Sequence, residues 1–166
     1  MATLSFDAGV TQNLANAGAV AGATSTYTTT AATVCAILGK FATPLAAQTA
    51  QPTPTTDATT GQPFIALQPN QCCSLVLGVN AAGAIRMCQG GILPTNAGVT
   101  TTVGAFLRDP QFPSLPDDFC AIAYTIVRTA PAAAPWIPGT GSWTASGVTT
   151  STFTNISQLP ARPQIA

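Results

Sequence analysis

The sequence predicts an all-β protein: an antiparallel β-sandwich or barrel-like domain with an extended N-terminal arm. Three observations lead there. Residues 119–128 and 72–79 are short apolar runs rich in β-branched, cysteine and aromatic side chains, bounded by turn formers. Threonine and alanine dominate the composition, and glycine and proline, 14 of each, punctuate it. No segment sustains the roughly 3.6-residue apolar spacing of an amphipathic helix, so no helix is assigned.

Residues 1–32 are small and polar, with isolated larger apolar side chains such as Leu4, Phe6, Val10 and Leu14. So little side-chain area repays the entropy of ordering poorly, and this stretch reads as an arm that docks on a neighbouring subunit. Residues 33–166 form the β-rich domain. Its first strand is residues 33–41. Residues 43–63 carry Pro44, Pro52, Pro54 and Pro63 and read as a long exposed loop, partly polyproline-like, that packs against a partner.

Residues 72–79 and 84–88 form a hairpin around Asn80-Ala-Ala-Gly83, with Gly83 supplying a positive φ. Setting Asn80 opposite Gly83 places Leu77 opposite Arg86, Leu75 opposite Cys88, and Cys73 diagonal to Cys88. Residues 92–93 and 99–107 are weaker strand segments. The prolines and Asp117 of residues 109–118 make a rigid turn into residues 119–128, the strongest strand. Strict alternation puts Phe119, Ala121, Ala123, Thr125 and Val127 on one face. Both faces are apolar, so this strand is central and covered on both sides. Residues 148–156 form a Thr-rich edge strand.

Composition excludes several functions. The 166 residues contain no histidine and no glutamate, and Lys40 is the one lysine; charged residues make up 6%, with net charge zero. A typical soluble protein holds about a quarter. Acid–base and nucleophilic catalysis lack their usual groups, so the chain reads as a non-enzyme. Nucleic acid is excluded by the absence of clustered Lys and Arg, and no apolar run is long enough to span a bilayer as a helix. With no secretory signal, synthesis in the cytosol is expected.

The five cysteines (Cys35, Cys72, Cys73, Cys88 and Cys120) lack the spacing of a metal site and read as reduced, buried thiols; no cofactor is expected. Asp117-Asp118 reads as a turn cap. Trp136 and Trp143, on a Pro/Gly-rich span, either plug the sandwich edge or a subunit contact, or form an aromatic sugar platform. So uncharged a surface risks self-association unless symmetric copies conceal it, which points to an assembly.

Three segments carry a resemblance: Asn70-Gln-Cys-Cys-Ser-Leu-Val-Leu-Gly-Val-Asn-Ala-Ala-Gly-Ala-Ile-Arg86, Pro110-Gln-Phe-Pro-Ser-Leu-Pro-Asp-Asp-Phe-Cys-Ala-Ile-Ala-Tyr124 and Leu159-Pro-Ala-Arg-Pro-Gln164. Together they resemble a family of small virion structural proteins of tailed bacteriophages, the capsid decoration or cement proteins. A Cys-x-Gly-Lys-like first strand, a Thr-Thr-Asp-Ala-Thr-Thr-Gly loop and a Pro-Asp-Asp-Phe-Cys turn recur there in this order. Here they correspond to residues 35–41, 55–61 and 116–120. The resemblance covers residues 33–164 and leaves the arm outside.

It implies a subunit made in the host bacterial cytoplasm that oligomerises, commonly as a homotrimer, and binds the capsid exterior where major capsid proteins meet. Leu4, Phe6, Val10, Leu14, Trp136 and Trp143 are the expected assembly contacts. A head-fibre or tail-associated adhesin that binds host glycans through the two tryptophans is the alternative. A place at the portal, collar or tail is a third.

Overall fold

A computed structural model of the chain describes residues 9–164, and every regular element among them is a strand. In chain order these are β1 Gln12–Asn13, β2 Ala19–Ala21, β3 Thr26–Thr29, β4 Cys35–Ile37, β5 Lys40–Phe41, β6 Gln48–Pro52, β7 Gln71–Asn80, β8 Ile85–Gln89, β9 Leu93–Pro94, β10 Phe119–Thr129, β11 Val148–Thr150 and β12 Thr154–Asn155. The pairing is antiparallel throughout the named strands. The main sheet runs β11-β10-β7-β8, with β12 on β10 and β9 on β7; two small sheets, β1-β4-β5 and β2-β3-β6, accompany it. The sheet does not close on itself, so the domain is sandwich-like and not a barrel.

The central strand is where the sequence places it. Residues 119–127 of β10 are all buried. Its two faces feed two apolar clusters. One holds Leu75, Leu77, Met87, Ile122, Trp136 and Trp143, among others. The other gathers Val76, Cys88, Phe119, Ala121 and Tyr124 under Phe112, Leu115 and Leu159, so the proline-rich turn and the C-terminal tail roof the second face. Strict alternation fails at one point. Ala121 faces Gly78 and Ala123 faces Leu77, leaving Ile122 as an inserted residue. This bulge reverses the parity, so Tyr124 shares a cluster with Phe119 and Ala121 while Ala123 and Val127 join the opposite one.

The expected arm differs most from its reading. Leu4 and Phe6 lie outside the described residues. Gln12 and Asn13 pair with β4, and β2 pairs with β3. Ala17 and Ala19 are fully buried beside Tyr27. The residues from 12 onward therefore belong to the same folded unit as residues 33–164. Small side chains pack flush here, and the bulk comes from Trp143, whose indole N–H donates to the Thr26 carbonyl (2.9 Å).

Three further readings are refined. Residues 33–41 are not one strand but the tight β4–β5 hairpin, turning at Leu38-Gly39. Val76 faces Cys88 and Leu77 faces Met87, one step from the expected register, because the loop closes between Asn80 and Ala84 instead. Cys73 and Cys88 thus fall on opposite faces. Residues 43–63 are only partly loop: β6 pairs with β3, and Asp57 bridges to Met87.

Gly78 has no room for a side chain, since a Cβ there would overlap the Phe119 ring and the Cys120 carbonyl. Gly78→Ala is expected to cost about 1–3 kcal/mol in denaturant unfolding. Gly91→Ala, which meets nothing within 4 Å, should stay within about 0.5 kcal/mol.

All five cysteines are buried and unpaired. Burial pushes the Cys73 thiol up to about 12 and Cys88 up to about 11. These groups stay protonated in the fold but ionise near pH 9 once unfolded. Stability should therefore be level below about pH 8 and decline above about pH 9, as the unfolded chain releases protons that the folded one keeps. Native protein should leave its thiols unreacted with a thiol-exchange reagent, and unfolding should release all five.

Candidate functional site

Without ions, the fold is stapled by neutral polar groups. The Asn155 amide accepts from Ala19 N–H (2.7 Å) and donates to the Ala19 carbonyl (3.1 Å), joining the main sheet to β2. Gln89 clasps Ile65 in the same two-bond way (2.9 and 2.8 Å). Thr129 Oγ1 donates to the Gln68 carbonyl (2.6 Å) and accepts from Gln71 N–H (3.0 Å). Among the described residues one ion pair forms, Arg162 with Asp109 (2.9 Å), and it lies exposed, where such pairs add little. No group of three His, Cys, Asp or Glu side chains gathers among those residues.

Several large apolar side chains are exposed, Ile65 and Leu107 among them, and two of these sites are strained turns that present theirs at a tip. At the first, the β4–β5 turn holds both Leu38 (φ 50°) and Gly39 (φ 74°) in the left-handed region, the two-residue type I′ geometry that favours Asn-Gly. Leucine there costs about 1–2 kcal/mol. Its side chain is nonetheless 53% exposed, and Phe41 beside it is 66% exposed. The turn is fastened from below: Gly39 N–H donates to the Val10 carbonyl (2.9 Å) and Leu38 N–H to Thr11 Oγ1 (3.1 Å). A groove of ≈ 270 Å³ opens next to it, lined by Leu38, Leu115, Pro116, Phe119 and Leu159.

At the second tip, Val99 and Thr102 exchange two backbone hydrogen bonds (3.1 and 2.8 Å) around Thr100, a β-branched residue at φ 49°. Such a residue seldom adopts that conformation. Val99 is 75% exposed. The Thr100 carbonyl accepts from Ala132 N–H (2.9 Å), which fixes this tip just past the end of β10. The first tip's groove contains Phe119, the start of β10. The two tips thus flank opposite ends of β10, whose 11 residues extend over about 35 Å.

Of the expected assembly contacts, Val10 and Leu14 are exposed, and Val10 sits under the first tip. Trp136 and Trp143 are not surface contacts. They are 2% and 3% exposed, stack at 5.4 Å between ring centroids, and both indole N–H groups donate to carbonyls, of Ser142 and Thr26. They plug the interior and present no aromatic face at the surface of this chain. The sequence reading missed Leu38, Phe41 and Val99. The Leu-Gly dipeptide inside an apolar run was the available signal for the first tip.

No family model, curated protein or solved structure matches the chain.

Burial of both indoles has a direct readout. Tryptophan emission should be blue-shifted, resistant to iodide quenching and unchanged by added saccharide. Trp143→Phe, which removes the indole bond to the Thr26 carbonyl and leaves that carbonyl its bond from Gly22 N–H, should lower stability by about 1–3 kcal/mol, chiefly through lost packing.

Proposed function

We propose that this protein is a capsid decoration subunit that binds the outside of a tailed-phage head and bridges neighbouring major capsid proteins, with its own copies associating as a homotrimer. One observation carries the reading: two exposed apolar tips sit in costly backbone conformations at opposite ends of one rigid strand. Strain persists where surrounding structure imposes it, and it concentrates at functional positions. A bridge needs two separated contact regions, and a stiff spacer of about 35 Å between them resists separation of whatever they hold.

Each large apolar side chain taken out of water at a contact contributes about 1.5–3 kcal/mol before ordering costs. Single contacts of this kind are weak. Symmetry multiplies them, because each further attachment on the same shell is nearly intramolecular. The scarcity of charge serves the same end, since neither desolvation of ions nor like-charge repulsion opposes close packing of copies. Lys40, next to Phe41, is the one cation at the first tip's hairpin.

Copy number separates this place from others on the particle: hundreds per virion fit the shell, and about a dozen fit a portal, collar or tail position. The sharper test is Leu38→Asn. Asparagine suits the left-handed turn, so the variant should gain about 0.5–1 kcal/mol in unfolding stability. Its attachment to particles, measured by co-sedimentation, should fall at least about tenfold. Attachment at wild-type strength would contradict the role given to this tip.

A further inference from the structure

Arg128 is an unusual residue in this chain, a half-buried cation near the end of a central strand. Its guanidinium lies over the Phe106 ring (4.8 Å to the centroid) and donates through Nη1 to the Gly104 carbonyl (3.2 Å). These contacts fix the plane of the group and leave part of its donor fork uncommitted. No carboxylate among the described residues lies within ion-pair distance of it. Asp109, in the adjoining groove that shares Gln164, is engaged with Arg162.

Arg128 and Phe106 line a groove of ≈ 430 Å³ with the Thr-rich edge, where Thr149 pairs directly with Arg128 and shares its face, Thr154 pairs with Tyr124 on that same face, and Thr152 lies between them. The hydroxyls of Thr149, Thr152 and Thr154 make no hydrogen bond among the described residues. Ser151 differs, because its Oγ already accepts from Ile126 N–H (2.9 Å) and anchors the edge. A volume of this size falls within the range of small-molecule sites. An oriented guanidinium matches one carboxylate in a two-bond fork. A row of hydroxyls, each both donor and acceptor, matches a polyhydroxylated ring.

We propose that this groove is a binding site for a carboxylated sugar, a uronic-acid unit of an acidic polysaccharide, with its carboxylate on Arg128 and its ring hydroxyls on the threonine edge. The site is independent of the assembly reading and of both buried tryptophans. A phosphopeptide fits less well, since its doubly charged phosphate would find a single cation in this groove.

The test is an amide NMR titration of the whole chain with a galacturonic acid trimer, a neutral galactose trimer and sodium acetate. The acidic trimer should shift the amides of residues 149–154 and the Arg128 side chain, with a dissociation constant on the order of 1 mM. The neutral trimer and acetate should each bind at least about tenfold more weakly. Arg128→Gln should weaken the acidic trimer at least about tenfold, and raising salt should weaken it too. Arg128 also supports residues 104–106, so Thr152→Val and Thr149→Val serve as second variants. Each keeps the fold and should weaken binding about threefold. Three results would each overturn the proposal: no shifts at about 20 mM trimer, equal binding of the acidic and neutral trimers, or full affinity in both threonine variants.

Discussion

The pairing of β7 with β10 is the constraint on which the rest of the structure depends. Nine residue pairs lock the two longest strands together, and both faces of the pair are covered. A two-sided strand must be apolar throughout, which is why residues 119–127 carry no charge. The same closeness demands Gly78 under the Phe119 ring and admits three thiols, Cys72, Cys73 and Cys120, as small apolar fillers. The Ile122 bulge turns β10 so that Tyr124 swings under the proline-rich roof, where Phe112 meets its ring edge-on at 4.9 Å and its hydroxyl accepts from Gln164 N–H.

A core built this way leaves the periphery to neutral chemistry. The small sheets have few residues to contribute, so their attachment rests on side-chain groups bonded to backbone: Asn155 on Ala19, Asn13 on the Ile156 carbonyl and the Trp143 indole on the Thr26 carbonyl. Each such bond adds about 1 kcal/mol net, but leaving its buried partner unmet costs more. These staples explain how residues 12–31, poor in bulky side chains, stay in the fold. They also explain why the protein needs no ionic network, and hence how its exterior can remain so uncharged.

Much of this was legible in the sequence. The all-β class, the central strand, the Thr-rich edge and the reduced thiols followed from local periodicity and composition, which act over a few residues. What was not legible depended on distant partners. The fate of Ala17 and Ala19 is decided by Trp143 and Asn155, more than 120 residues away. The Ile122 bulge is a property of the pair, not of either strand. Trp136 and Trp143 lie in a Pro/Gly-rich span that suggests exposure, yet their indole N–H groups find carbonyls only once the chain has folded over them. Of the two tips only the first had a local signal, the Leu38-Gly39 dipeptide; at the second, nothing in Val99-Thr100-Thr101-Thr102 marks Thr100 for a positive φ.

Rigidity between two apolar ends links the fold to the proposed role. The β7–β10 pair stands between the turns at Leu38 and Val99, and under that proposal a surface with few ions would spare its contacts the cost of burying charges. The most direct measurement of the proposed role is an electron-microscopy reconstruction of phage particles assembled in the presence of this chain. The account expects hundreds of copies on the shell exterior, with the turn at Leu38 and the turn at Val99 seated on different neighbouring subunits. Density at a single vertex, or copies whose two tips both face solvent, would contradict it.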